Sequence, residues 1–147
     1  MDNHLIITNT TIVTPQGKSA LKGSDMGKLC VIPDGVIVIS DGIIDYAGPA
    51  SGVNLADYPH HHRLDADGKV SLPGFVDSHT HLIFGGYRAE EFEWRLKGDS
   101  YMSIMERGGG IQSTVNATHE ESFEDLREKA VWFIDRMVDM GVTTVEA

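Results

Sequence analysis

Hydrophobic and polar positions change rhythm once along the chain, near Leu72. Before it, the runs LIITN, TIVTP, VIVIS, IIDYAGP and RLDADG are short, rich in Ile and Val in most cases, and punctuated by Gly, Pro, Asn and Asp. Such runs predict short β-strands. Asp41-Gly42 separates VIVIS from IIDYAG and is a strong signal for a two-residue hairpin. The Gly/Ser/Lys-rich stretch from Pro15 to Lys28 predicts a loop. Several strands at this close spacing predict a small sandwich or a portion of one.

After Leu72 the pattern becomes mixed. LPGFVDSHTHLIF opens on a Pro-Gly turn and an apolar strand. RAEEFEWRLKG and SYMSIMERGGG then read as helices stopped by glycine. Thr118 and Glu121 stand in capping-box spacing, which predicts a long helix with Thr118 as its N-cap. Phe123, Leu126, Ala130, Ile134, Met137 and Val138 recur three to four residues apart and predict its buried face. Gly141 stops that helix, and VTTVEA follows as a β-branched strand. The order strand, helices, strand predicts a βαβ unit with a parallel sheet and a right-handed crossover.

Composition narrows the function. The chain has 147 residues with 41% hydrophobic content, which suits a folded soluble domain rather than a disordered chain. No apolar run reaches the roughly 18 residues of a membrane span, and MDNHLIITNT has no basic segment of the kind that opens a secretory signal. Twelve basic residues against 22 acidic give a formal net charge of -10. That disfavours nucleic-acid and anionic-membrane partners, yet one local Arg can still hold an anionic small molecule. A single cysteine, Cys30, makes no internal disulfide and fits a reducing, cytoplasmic setting as a buried structural thiol.

The sharpest candidate chemistry is Asp77-Ser78-His79-Thr80-His81. On a strand, residues i and i+2 share a side, so His79 and His81 can present two imidazoles to one point. Imidazole suits zinc, iron, nickel and copper, and a catalytic ion needs a third protein ligand besides. Structural histidines are the other reading of this pair. Asp77 falls on the opposite side and reads as a packing or supporting residue. Gly85-Gly86-Tyr87-Arg88 can turn sharply and bring Arg88 near the pair, its planar fork suited to a carboxylate. An Arg at a helix start, lying in solvent, is the plainer alternative. Gly108-Gly109-Gly110 can cradle an anion or act as a hinge, but lacks the spacing and Lys of a P-loop. Glu146 closes a strand where sites form. His60-His61-His62 read as a surface run, Trp94 and Trp132 as packing residues, and His119 as solvated.

Taken together, the segment from Leu72 to Ala147 resembles the metal-dependent amidohydrolase superfamily. FGG-x-R-x-x-EF, Gly-Asp-Ser-Tyr, GGGI-x-STV and GVTTVE narrow the resemblance to its imidazolonepropionase family. The resemblance implies an α/β fold: a β-sandwich portion over 1–72 and, over 73–147, the first βα units of a TIM (β/α)8 barrel. It implies that His79 and His81 ligate one divalent metal, zinc or iron. Arg88, and less directly Tyr101, would bind a small carboxylated substrate, 4-imidazolone-5-propanoate, for ring opening to N-formimino-L-glutamate in histidine degradation. It also implies a homodimer for the full-length parent. A barrel needs about 200 residues or more, so the remaining ligands and the general base are expected beyond residue 147. The chain by itself is expected to be inactive and prone to association through uncovered sheet edges. Other amidohydrolases, such as deaminases and cyclic amidohydrolases, and a non-catalytic truncated product are the alternative readings.

Overall fold

The structure is a computed structural model and describes residues 4–17 and 19–147. Met1, Asp2 and Asn3, on which the reading of the leader partly rests, and Lys18 of the expected loop lie outside the described residues. The chain divides into two compact units, Met1–Pro73 and Gly74–Ala147.

The first unit is one mixed sheet. Its strands are β1 (Leu5–Pro15), β2 (Leu29–Ser40), β3 (Ile43–Pro49), β4 (His62–Asp65) and β5 (Val70–Ser71). The order is β3-β2-β1-β4, with β5 also on β1. The strands of this unit thus form a single five-stranded sheet, one layer rather than two facing ones. The β2–β3 hairpin turns at Asp41 and Gly42, both with positive φ (52° and 79°), the conformation that the Asp-Gly pair favours. LIITN and TIVTP are one strand rather than two. Asn9, at φ 54°, interrupts it without ending it, because its amide side chain and carbonyl are bonded to Asp65 and Gly68. The same break lets β4 pair with Leu5–Thr8 and β5 with Thr11 and Ile12, both parallel. The core of this unit is Ile6, Val36 and Val38, packed under Tyr46, Val53, Leu55 and Tyr58. The expected loop holds one short 3₁₀ turn, Gly23–Gly27.

The second unit starts on β6 (Phe75–Asp77), passes through α1 (Ala89–Leu96), α2 (Tyr101–Glu106), α3 (Ile111–Glu120) and α4 (Phe123–Asp139), and ends on β7 (Val142–Val145). β6 and β7 pair in parallel, the βαβ pattern that the sequence order predicts. The start of α4 differs from expectation. Its N-cap is Ser122, whose Oγ accepts from the Asp125 amide at 3.1 Å. Thr118 instead lies inside α3, and Glu121 pairs with Lys129. The buried stripe of α4 also sits slightly to one side. Leu126, Ala130, Phe133 and Met137 are covered, while Phe123, Ile134 and Val138 are exposed. Trp132, expected to pack, is likewise largely exposed and touches Phe133 edge-on. No helix among the described residues is long and apolar enough to cross a membrane.

Candidate active site

Strand β6 ends at Asp77, two residues before His79. The half-buried Asp77 side chain accepts from the His79 amide at 3.2 Å, a local turn that terminates the strand. Its backbone carbonyl accepts from the Glu146 amide at 2.9 Å, and Glu146 returns its carbonyl to the Thr80 amide at 3.4 Å. Glu146 therefore fixes the exit of β6 through its backbone. His79 and His81 lie on the extended segment beyond the strand, not on the strand itself. They still converge: the ring centroids are 5.4 Å apart and meet edge to face at 86°. Both residues are exposed, and among the described residues neither imidazole takes a hydrogen bond. Two neighbouring imidazoles are a suitable partial donor set for a divalent transition metal. No group of three or more His, Cys, Asp or Glu arranged to hold a metal occurs among the described residues.

His81 borders a cleft of about 390 Å³ whose other walls include Ile83, Phe84, Ile111, Val115 and His119. Thr118, which also lines this cleft, sits at a close backbone crossing. A Cβ on Gly85 would stand 2.4 Å from the Ala117 carbonyl oxygen and 2.6 Å from the Thr118 nitrogen, so only glycine fits there. Thr118 Oγ1 locks the crossing. It donates to the Thr114 carbonyl at 2.7 Å and accepts from the Gly85 amide at 2.8 Å.

The crossing delivers Arg88 to the start of α1. Its Nε and Nη2 both donate to one oxygen of Glu91, at 2.9 and 2.7 Å. Glu91 is only 7% exposed. Its other oxygen accepts from the Gly110 amide at 2.7 Å. The Arg88 hydrogen bond holds the Glu91 carboxyl below the usual glutamate range against the opposing effect of desolvation, with the Gly110 amide adding to it. In return Glu91 raises the Arg88 guanidinium, chiefly through the same hydrogen bond, and Tyr101 adds a smaller electrostatic effect. Tyr101 opens α2 behind the cap Ser100 and is half exposed.

The candidate residues therefore fall into two groups: His79 with His81, and Arg88 with Tyr101. No hydrogen bond, ion pair or ring contact among the described residues joins one group to the other. Sequence reasoning missed Glu91 and the true task of Thr118. Glu91 was visible in principle, because it stands three residues after Arg88, a spacing that puts two helical side chains on one face. Gly110, from the triple glycine, spends its amide on Glu91. His61 of the triple-histidine run contacts Ser40 at 2.9 Å and meets the His4 ring at a tilt and the Tyr58 ring edge-on, inside the first unit. Cys30 is free and half-buried on β2.

The model of the Amidohydrolase family matches residues 63–136. An imidazolonepropionase of Phocaeicola vulgatus is 60% identical over 146 residues, covering 99% of this chain and 35% of that protein. One from Bacteroides fragilis is 56% identical over 147 residues, with the same coverage. The chain thus spans about a third of the length of the curated relatives it matches. Among solved structures, E. coli guanine deaminase superposes with a TM-score of 0.60 at 21% identity, over 96% of this chain and 30% of that one. That likeness concerns the fold.

Proposed function

The chain belongs to the amidohydrolase family, and from that premise we propose that it is the N-terminal portion of an imidazolonepropionase, a cytoplasmic hydrolase of histidine degradation. The observation that supports this most is the 60% identity running over 99% of the chain. Within it lie the convergent histidine pair, general to the superfamily, and the arginine fork, which with Tyr101 and the GGGI-x-STV run separates a carboxylate-binding member from a general one. The first unit is read as the β-sandwich portion and the second as the opening βα units of a TIM barrel. Both side chains neighbouring Asp77 in β6, Phe75 and Val76, are more than half exposed (52% and 67%), as strand positions are before further strands and helices cover them.

In this reading the substrate is 4-imidazolone-5-propanoate and the product N-formimino-L-glutamate. His79 and His81 would supply two of the ligands to one divalent ion, zinc or iron. Such an ion, when bound, lowers the pKa of water and polarises a carbonyl. Asp77 sets the His79 backbone, and through it the ring, by accepting the His79 amide. Arg88 binds the propionate carboxylate and so fixes the orientation of the ring, a positioning contribution. Tyr101, whose charge is felt at Arg88, would contribute to the same substrate pocket. The remaining ligands and the group that carries the proton to the leaving ring nitrogen are assigned to the rest of the polypeptide. Consistent with that, residues 1–147 alone are expected to show no turnover of the substrate.

The arginine assignment is tested in the intact enzyme. Arg88→Ala removes a charge-assisted pair of contacts worth about 2 kcal/mol, so KM for the carboxylated substrate rises roughly thirtyfold. An unchanged KM would favour another amidohydrolase activity.

A further inference from the structure

We propose that Glu91 is the positioning residue that turns Arg88 into a one-sided receptor for the substrate carboxylate. This inference rests on the reading of Arg88 given above. A guanidinium carries five N–H donors in one plane. Glu91 Oε2 occupies the side formed by Nε and one hydrogen of Nη2. The edge formed by Nη1 and the second hydrogen of Nη2 is left for a second carboxylate, which can approach it with two parallel hydrogen bonds.

Three observations make Glu91 more than a surface partner in an i,i+3 pair. It is buried, whereas the Arg88 side chain is 38% exposed. The anchor is therefore fixed and the fork is the accessible part. Both of its oxygens are in use, one on Arg88 and one on the Gly110 amide. The carboxylate thus bridges the start of α1 to the triple-glycine loop ahead of α3. Its depressed proton affinity keeps it an acceptor throughout the neutral range. A mobile arginine loses rotamer freedom when it binds, and the clamp removes that loss in advance.

The chemistry predicts a specificity effect. Glu91 acts only through Arg88, so its loss weakens recognition of a carboxylate and leaves a neutral side chain in its place almost unaffected. The test uses the intact enzyme with the propionate substrate and its primary carboxamide analogue. The readout is the ratio of kcat/KM between the two. Arg88→Ala is expected to collapse the ratio to about one. Glu91→Gln is expected to lower it on the order of tenfold, mainly through KM for the acid. Glu91→Asp, which keeps the charge but shortens the reach, should fall between wild type and Glu91→Gln and provides the same readout if the Gln variant folds poorly. If Arg88→Ala collapses the ratio while both Glu91 variants lower acid and amide equally, Glu91 is merely structural and the inference is overturned. If Arg88→Ala leaves the ratio intact, the carboxylate assignment of Arg88 itself falls, and this inference with it.

Discussion

Glu91, at residue scale, is where burial and charge meet. A carboxylate at 7% exposure is tolerated because both of its oxygens are bonded, Oε2 to Arg88 and Oε1 to the Gly110 amide. Its proton affinity is lowered in the folded state, first by the Arg88 hydrogen bond. The stability it contributes is therefore present above the ordinary glutamate range and is lost as pH falls through the lower folded value. Comparing thermal midpoints of wild type and Glu91→Gln across pH checks this. The gap should persist through the usual glutamate range and close only below it; a gap already closed within that range would contradict the assignment. Gly85 gives a second prediction at this scale. Gly85→Ala drives a Cβ against the backbone of Ala117 and Thr118, which a flexible side chain cannot relieve. A loss of about 2 kcal/mol or more is expected in denaturant unfolding, the size that overpacking against rigid atoms brings.

Elements show why some of the fold was legible in the sequence and some was not. The β2–β3 hairpin was legible because Asp41-Gly42 can adopt two consecutive positive φ angles and few other pairs do. The parallel β6–β7 pair was legible because a helical stretch separates two apolar runs. The start of α4 was not, since two capping patterns follow one directly after the other. Thr118 to Glu121 and Ser122 to Asp125 have equal spacing. The second prevails because the Thr118 hydroxyl is already spent on Thr114 and Gly85. Glu91 escaped notice for a similar reason: its importance lies in Gly110, 19 residues away. The histidine pair was legible as a pair but misplaced, because Asp77 ends β6 before it. Hydrogen exchange separates the two capping assignments. Ser122→Ala should cost about 1 kcal/mol and expose the Asp125 amide to exchange. Thr118→Val should instead release the Gly85 amide and leave the first turn of α4 protected. Fraying of α4 in the Thr118 variant would restore the earlier expectation.

The whole molecule joins a unit built on one sheet to a unit that carries every candidate site residue. Against a net charge of -10, an anionic ligand depends on local cationic groups such as the partly exposed Arg88 fork. The second unit leaves Phe75, Val76, Phe123 and Val138 exposed, apolar surface that the proposed reading covers with further strands and helices. In this account the histidine pair serves a metal-dependent ring opening, and the most direct measurement pairs metal content with turnover. Intact enzyme and its His79→Ala/His81→Ala double variant would be assayed for bound metal and for conversion of 4-imidazolone-5-propanoate to N-formimino-L-glutamate. The account predicts about one divalent ion per wild-type chain, ring opening by that enzyme, and loss of both in the double variant. Ring opening that survives removal of both histidines, or a metal-loaded wild-type enzyme that leaves this substrate untouched, would contradict it.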